Sequence, residues 1–96
     1  MPRPRLTDEQ IEQALLASHW TREGDEIVRQ VKRPDFKAAM AFVNQVADLA
    51  ESLDHHPDIA ISWNTVDLRV STHDSGGLTD LDFELAKGVD VLDGSE

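Results

Sequence analysis

Cysteine is absent from the chain, aromatic residues make up only 5% of it, and long apolar runs are missing. Without cysteine the chain can form no disulfide and offers no thiolate metal ligand or thiol nucleophile, which excludes a disulfide-stabilised secreted domain. The opening residues pass from proline and arginine directly into the acidic Thr7–Gln10 segment. We therefore expect no signal peptide, no membrane span and a cytoplasmic location.

Basic residues are also scarce. Lys and Arg number 9 against 19 Asp and Glu, giving a formal net charge of -10. Such a charge repels nucleic acids and anionic lipids, so we expect no direct binding to either. The 96 residues predict one domain spanning residues 1–96. A domain of this size leaves much of its surface exposed, which favours a homodimer or homotetramer.

Three segments carry helix signals. Thr7 and Gln10 have the spacing of a capping box, and Thr79 and Asp82 repeat it near the carboxyl end. Between them, apolar residues recur at helical spacing from Phe36 to Leu53. This pattern predicts a first helix to about residue 17, a long central helix and a final helix.

Alternating apolar and polar residues predict strands between the helices. A Gly24–Asp25 turn separates Trp20–Arg22 from Ile27–Lys32, which predicts a hairpin whose second strand is the better patterned. A second pair of strands covers Ile59–Trp63 and Val66–Val70. The order predicts an α+β fold, a four-stranded antiparallel sheet with three helices packed on one face. The alternation predicts that Trp63 packs in the core and that His73 lies on the polar side of its strand.

Three of the four histidines fall within nineteen residues, at positions 55, 56 and 73. Imidazole both gives and takes protons near neutral pH, so the cluster suggests proton transfer or metal binding. His56 precedes Pro57 and should be extended, which points the side chains of His55 and His56 in different directions. The carboxyl end of the preceding helix favours imidazolium, which suits a general acid. Alternatively, both histidines cap that helix by bonding its last free carbonyls.

Other chemistries fit the spacing less well. Adjacent histidines without a helical i, i+4 partner make a poor zinc site, so we expect no metal. Gly76–Gly77 before a helix could cradle phosphate, but Asp80 and Asp82 would repel it, and a tight turn is the simpler interpretation.

The run Glu51–Pro57, then Thr72–Thr79 and Asp82, resembles pterin-4a-carbinolamine dehydratases. The resemblance extends over nearly the whole chain, including Trp20 and the helix entry at Pro34–Phe36. It implies dehydration of a 4a-hydroxytetrahydropterin to the quinonoid dihydropterin, with no metal or organic cofactor.

The resemblance also implies roles for individual residues. His55, His56 and His73 are implied as catalytic, with the acid and the base unassigned. The implied pterin-binding residues are Glu51, Asp54, Pro57, Thr72, Asp74, Ser75, Asp82 and Trp20. The resemblance further implies a dimer or a tetramer, because proteins of this family form such assemblies. Some of them also act as dimerisation partners of a transcription factor. The alternative function is therefore a non-catalytic interaction module acting as a transcriptional cofactor.

Overall fold

The computed structural model describes residues 3–94. Met1, Pro2, Ser95 and Glu96 lie outside the described residues. The expectation that the chain opens without a signal peptide rests partly on Met1 and Pro2 and stays a prediction. The elements are α1 (Asp8–Leu16), β1 (Thr21–Glu23), β2 (Glu26–Lys32), α2 (Phe36–Leu53), β3 (Asp58–Ser62), β4 (Thr65–Val70) and α3 (Asp80–Leu92). This order confirms the predicted α+β arrangement.

α1 and α3 begin at the capping boxes that the sequence predicted, with Thr7 and Thr79 as caps. The Thr7 hydroxyl accepts from the Gln10 N–H at 3.1 Å while the Gln10 side chain accepts from the Thr7 N–H at 2.8 Å. At α2, the Asp35 carboxylate accepts from the Ala38 N–H at 2.8 Å. These bonds satisfy amide groups that have no partner inside the helix. Within residues 3–94 no helix is long and apolar enough to cross a membrane.

The sheet is antiparallel, with strand order β1-β2-β4-β3. Ile27 pairs with Val70 and Val31 with Val66, and all four side chains are buried. Paired residues point to the same face of a sheet, so these side chains form the apolar layer. They belong to one core cluster with Ile11 of α1 and with buried residues of α2 and α3. The prediction of one face covered by the helices is thus confirmed.

The prediction for Trp63 was wrong. The side chain is 67% exposed rather than packed. The reason is that β3 ends at Ser62, and Trp63 begins the turn to β4 with a left-handed φ of 51°. The turn redirects the side chain, so strand alternation no longer governs it. Ile59 on the same strand is also 37% exposed, because β3 lies at the edge of the sheet.

Buried ion pairs attach the carboxyl end of α3 to the sheet. Arg29 of β2, whose side chain is 8% exposed, pairs with Asp90 and, at 2.5 Å, with Asp93. Arg33 also pairs with Asp93 at 2.5 Å, and the Trp20 indole N–H donates to Asp90 at 3.0 Å. A buried carboxylate is tolerated only when such partners replace its water. These contacts define the position of α3, and therefore of the residues at its other end.

Close packing of α2 against α3 depends on Gly88. An added Cβ at Gly88 would lie 2.7 Å from Cδ2 and 3.0 Å from Cδ1 of Leu49. We expect Gly88→Ala to lower the free energy of unfolding by about 1 kcal/mol, because overpacking costs about 1–3 kcal/mol and the gain in helix propensity is about 1 kcal/mol. Denaturant unfolding measures this change.

The background variant Leu49→Ala supplies the control. With the leucine methyl groups removed, Gly88→Ala should instead raise stability, since only the propensity gain is left. The same sign in both backgrounds would show that the Leu49 contact does not limit this position.

Candidate active site

The end of α2 places His55 and His56. Asp54 takes the left-handed conformation, with φ 50° and ψ 43°, and its N–H bonds to the carbonyls of Ala50 and Glu51. The N–H of His55 also donates to the Ala50 carbonyl, at 3.0 Å. Reversing the backbone at Asp54 ends the helix, and the chain then runs through the two histidines into β3.

His55 points inward, toward the first turn of α3. Its Nε2 lies 2.6 Å from Oδ1 of Asp82, and the two side chains are 11% and 0% exposed. A carboxylate oxygen accepts, so Nε2 carries the proton of this bond. In the neutral ring the other nitrogen, Nδ1, is then unprotonated and able to accept a proton.

Asp82 joins the two sequence motifs. Its second oxygen, Oδ2, accepts from the Thr72 hydroxyl at 2.8 Å and from the Thr79 N–H at 2.8 Å. The latter bond belongs to the predicted capping box of α3. Because the Thr72 proton goes to the carboxylate, the Thr79 hydroxyl donates to Thr72, also at 2.8 Å. Among residues 3–94, no buried side-chain nitrogen or oxygen lacks a partner.

His56 points outward, away from the direction of His55; the sequence predicted that the two side chains point apart, but not which one faces outward. Its Nε2 bonds to Oε2 of Glu51, and the two side chains are 56% and 76% exposed. The partners of His55 and His56 are therefore carboxylates, and it is the backbone N–H of His55 that bonds to a helix carbonyl. The capping alternative thus applies to the backbone of His55.

The position predicted for His73 needs correction. β4 ends at Val70, and His73 lies in a single 3-10 turn, His73–Ser75, rather than on the polar side of a strand. A bridge between Thr72 and Gly77 and a left-handed Gly76, with φ 72°, close the turn. The side chain is exposed, as predicted.

A surface cleft of about 520 Å³ borders His73. Its lining consists of the turn itself and the β1–β2 turn: Asp25, Glu26, Ser71, His73, Gly76 and Gly77. The sequence pattern predicts a turn at Gly24–Asp25 but no part in a site. The pairing of Ile27 with Val70 brings that turn beside the residues after β4. His55 and His56 do not line this cleft, which covers only the His73 side of the candidate site.

Glu26 is held in place on the cleft wall by Arg69, whose Nη1 lies 2.9 Å from Oε1 of Glu26. The bond to Glu26, with a second to Glu23, raises the pKa of the Arg69 guanidinium. Arginine is charged at all physiological pH values in any case, so this pair neutralises part of the acidic wall.

The structure separates Trp20 from the other predicted site residues. Asp54 and Asp74 are exposed and Pro57 is half-buried beside the histidines in sequence, while the Ser75 hydroxyl donates to the Arg3 carbonyl. Trp20, in contrast, is 5% exposed in the core. Its indole bonds to Asp90, which is about 12 Å along α3 from Asp82 at the usual helix rise.

Other parts of the surface offer less chemistry. An apolar groove of about 490 Å³ lies between α1 and α3, lined by residues such as Ala14, Phe83 and Val91. No histidine lines it, so we place the candidate site at the histidine cluster instead. Within residues 3–94, no group of three or more histidine, cysteine or acidic side chains is arranged to hold a metal ion.

Comparison with known proteins identifies the family of the chain. Residues 4–92 match the family model described as pterin 4 alpha carbinolamine dehydratase. A relative from Nocardia farcinica, named as a candidate pterin-4-alpha-carbinolamine dehydratase, is 52% identical over 91% of this chain and 93% of its own length. A similarly named relative from Metallosphaera sedula is 44% identical over 94% and 95% of the two chains.

Two solved structures share the fold. The crystal structure of a transcriptional coactivator/pterin dehydratase from Brucella melitensis has a TM-score of 0.90 and 36% identity, covering 94% of this chain and 99% of that one. A pterin dehydratase-like RuBisCO assembly factor of the alpha-carboxysome has a TM-score of 0.66 at 20% identity, covering 80% and 89%, and shows the fold alone. On its sequence match and its fold, the chain belongs to the pterin 4 alpha carbinolamine dehydratase family.

Proposed function

We propose that this protein dehydrates a 4a-hydroxytetrahydropterin to the quinonoid dihydropterin by histidine acid–base catalysis. One observation carries the proposal beyond family membership. The buried carboxylate of Asp82 binds His55 through one oxygen and Thr72, the neighbour of His73, through the other. This one carboxylate therefore connects the two histidine segments, which supports a shared site.

The reaction needs one proton donor and one proton acceptor. The bond between carbon 4a and its hydroxyl oxygen breaks, and a proton from a general acid completes the departing water. A general base removes the proton from ring nitrogen 5, and a double bond forms between nitrogen 5 and carbon 4a. General acid–base catalysis contributes about 10²–10⁴-fold. The substrate supplies the electrons, so no further reactant is required.

The surroundings of His55 suit the base. Asp82 holds the Nε2 proton at 2.6 Å, which leaves Nδ1 as the proton acceptor in the neutral ring. When Nδ1 takes the substrate proton, the positive charge on the ring lies beside a carboxylate that is itself held by two other donors. An oriented ring of this kind needs little rearrangement during the reaction.

His56 and His73 are the candidates for the acid. Each is exposed to solvent, from which it can recover a proton after each turnover. They approach from different segments, His56 from the end of α2 and His73 from the turn after β4. Glu51 bonds to His56, whereas His73 borders the cleft with Asp25 and Glu26. A planar pterin held between the segments would meet a donor from either side.

Single substitutions test whether each histidine contributes to the reaction. We expect His55→Ala, His56→Ala and His73→Ala each to lower kcat by about 10-fold or more, since each removes one proton-transfer group. Stopped-flow dehydration of a freshly generated 4a-hydroxypterin measures the rate above the uncatalysed background. The surface histidine variant His19→Ala is the matched control. Wild-type rates in all three cluster variants would refute the proposal.

Asp82→Asn tests the orientation of His55. The amide oxygen of the introduced side chain would keep the bonds to Thr72 and Thr79, so its NH₂ group would face Nε2 and force that nitrogen to accept. The neutral-ring proton would then move to Nδ1, and the base would be blocked. We expect kcat to fall by about 10²-fold, with Glu84→Gln on the same helix as an unaffected control.

The wild-type rate should also fall on both the acid and the alkaline side of an optimum, because the acid must be protonated and the base unprotonated. In the Asp82→Asn variant, the side of the pH–rate profile that is set by protonation of the base should change in position or shape. A flat profile between about pH 5 and pH 9 in the wild-type protein would contradict paired imidazole catalysis.

We further propose that the protein is a homodimer, or a tetramer built from dimers. The support is the exposed surface at the edge of the sheet, where β3 carries Ile59 and ends beside Trp63. An edge strand with apolar side chains is a natural pairing surface. The interaction-module alternative would use the same surface, and an oligomer without dehydratase activity would favour it.

Light scattering at micromolar concentration tests this assembly. We expect a mass at least twice the 10.7 kDa of the monomer. Ile59→Lys should lower it by placing a charge in the interface, whereas Leu16→Lys, at an exposed leucine of α1, should leave it unchanged. A monomer mass for the wild-type chain would refute the assembly.

A further inference from the structure

The segment before α1 lies across the loop that carries His73. The Leu6 N–H donates to the Leu78 carbonyl at 2.8 Å, and the Ser75 hydroxyl donates to the Arg3 carbonyl. Arg3 also pairs with Asp80 at 3.0 Å. We call residues 3–6 the N-terminal arm. Arg3 precedes a proline and is therefore biased toward an extended backbone, which suits a segment that spans a loop.

Arg5 packs directly on the loop. A Cβ added at Gly77 would lie 3.1 Å from Nε of Arg5, so the guanidinium covers the space that a larger residue would fill. Gly77 closes the His73 turn through its bridge to Thr72 and lines the cleft beside His73. The arm therefore covers the loop on the side of its closing residue.

The loop is secured differently at its two ends. At its base, Thr72 and Thr79 bond to the buried Asp82. At its tip, the turn has its own backbone bonds, from Ser75 N–H to Thr72 and from Gly76 N–H to His73, both at 3.0 Å. No described side chain forms a hydrogen bond or ion pair with the His73 ring. Its position therefore follows that of the backbone, and the arm is the neighbouring segment that bonds to this tip.

We infer that the N-terminal arm, acting through Arg3 and Arg5, positions His73 for catalysis. The arm residues are positioning residues, since they act on the loop rather than on the substrate. This inference rests on the proposed dehydratase function for its kinetic consequence. Its structural part, that the arm orders the His73 turn, is independent of activity. A displacement of about 1 Å at a catalytic group can cost up to about 10²-fold in rate.

The test uses full-length variants. Arg3→Ala/Arg5→Ala removes the Arg3 pair with Asp80 of α3 and the Arg5 contact with Gly77 of the loop. Arg3→Ala/Arg5→Lys restores an aliphatic stem and charge at position 5. Lys37→Ala, an exposed basic residue on α2, is the control for charge. We expect the double alanine variant to lower kcat about 5- to 10-fold with a smaller change in KM, and the lysine variant to recover part of it.

Repeating the substitutions in a His73→Ala background distinguishes an effect on the position of His73 from a general loss of structure. If the arm acts through His73, the double alanine change should cost less than about 2-fold when His73→Ala is already present. An equal loss in both backgrounds would overturn the inference.

Amide hydrogen exchange provides a readout without activity. Exchange at the Ser75 and Gly76 amides should accelerate in the double alanine variant, while exchange in α2 stays unchanged. Unchanged exchange at these amides would overturn the inference even in an active protein. If the wild-type chain showed no dehydratase activity, the proposed function would fail, and faster exchange would still support the arm as the element that orders the turn.

Discussion

The carboxylate of Asp82 is the group on which the candidate site depends. It is fully buried and accepts from His55, Thr72 and the Thr79 N–H. Burying a carboxylate without such donors is strongly unfavourable. The same three bonds begin α3, close the loop after β4 and orient an imidazole. The start of α3 and the candidate site therefore share one carboxylate.

Carboxylates with buried partners are also found at the opposite end of α3, where they attach the helix to the sheet. There Arg29 of β2 pairs with Asp90 and Asp93, and Arg33, the residue after β2, pairs with Asp93. The Trp20 indole N–H also donates to Asp90. The helix is thus held by buried carboxylates at both ends. One end attaches the helix to the sheet, and the other carries the candidate site. In a chain with 19 acidic residues and only 9 basic ones, placing two arginines in this cluster is a substantial use of its positive charge.

Local signals predicted most of the fold. Thr7 with Gln10 and Thr79 with Asp82 mark helix starts because capping depends on neighbours in sequence, and Pro57 separates the directions of His55 and His56 for the same reason. The bond between His55 and Asp82 spans 27 positions and is created by packing of α3 against α2, which no local pattern encodes. The resemblance to a family named both residues, but their contact required the tertiary structure.

The exposed Trp63 and the buried Trp20 have a further consequence. The chain contains two tryptophans and no tyrosine, so its near-ultraviolet emission comes from one indole in the core and one at the tip of the β3–β4 hairpin. The environment of the first changes when the ion cluster of α3 opens. That of the second changes when another molecule covers the hairpin. Unfolding and association would thus be reported by different fluorophores in the unlabelled protein.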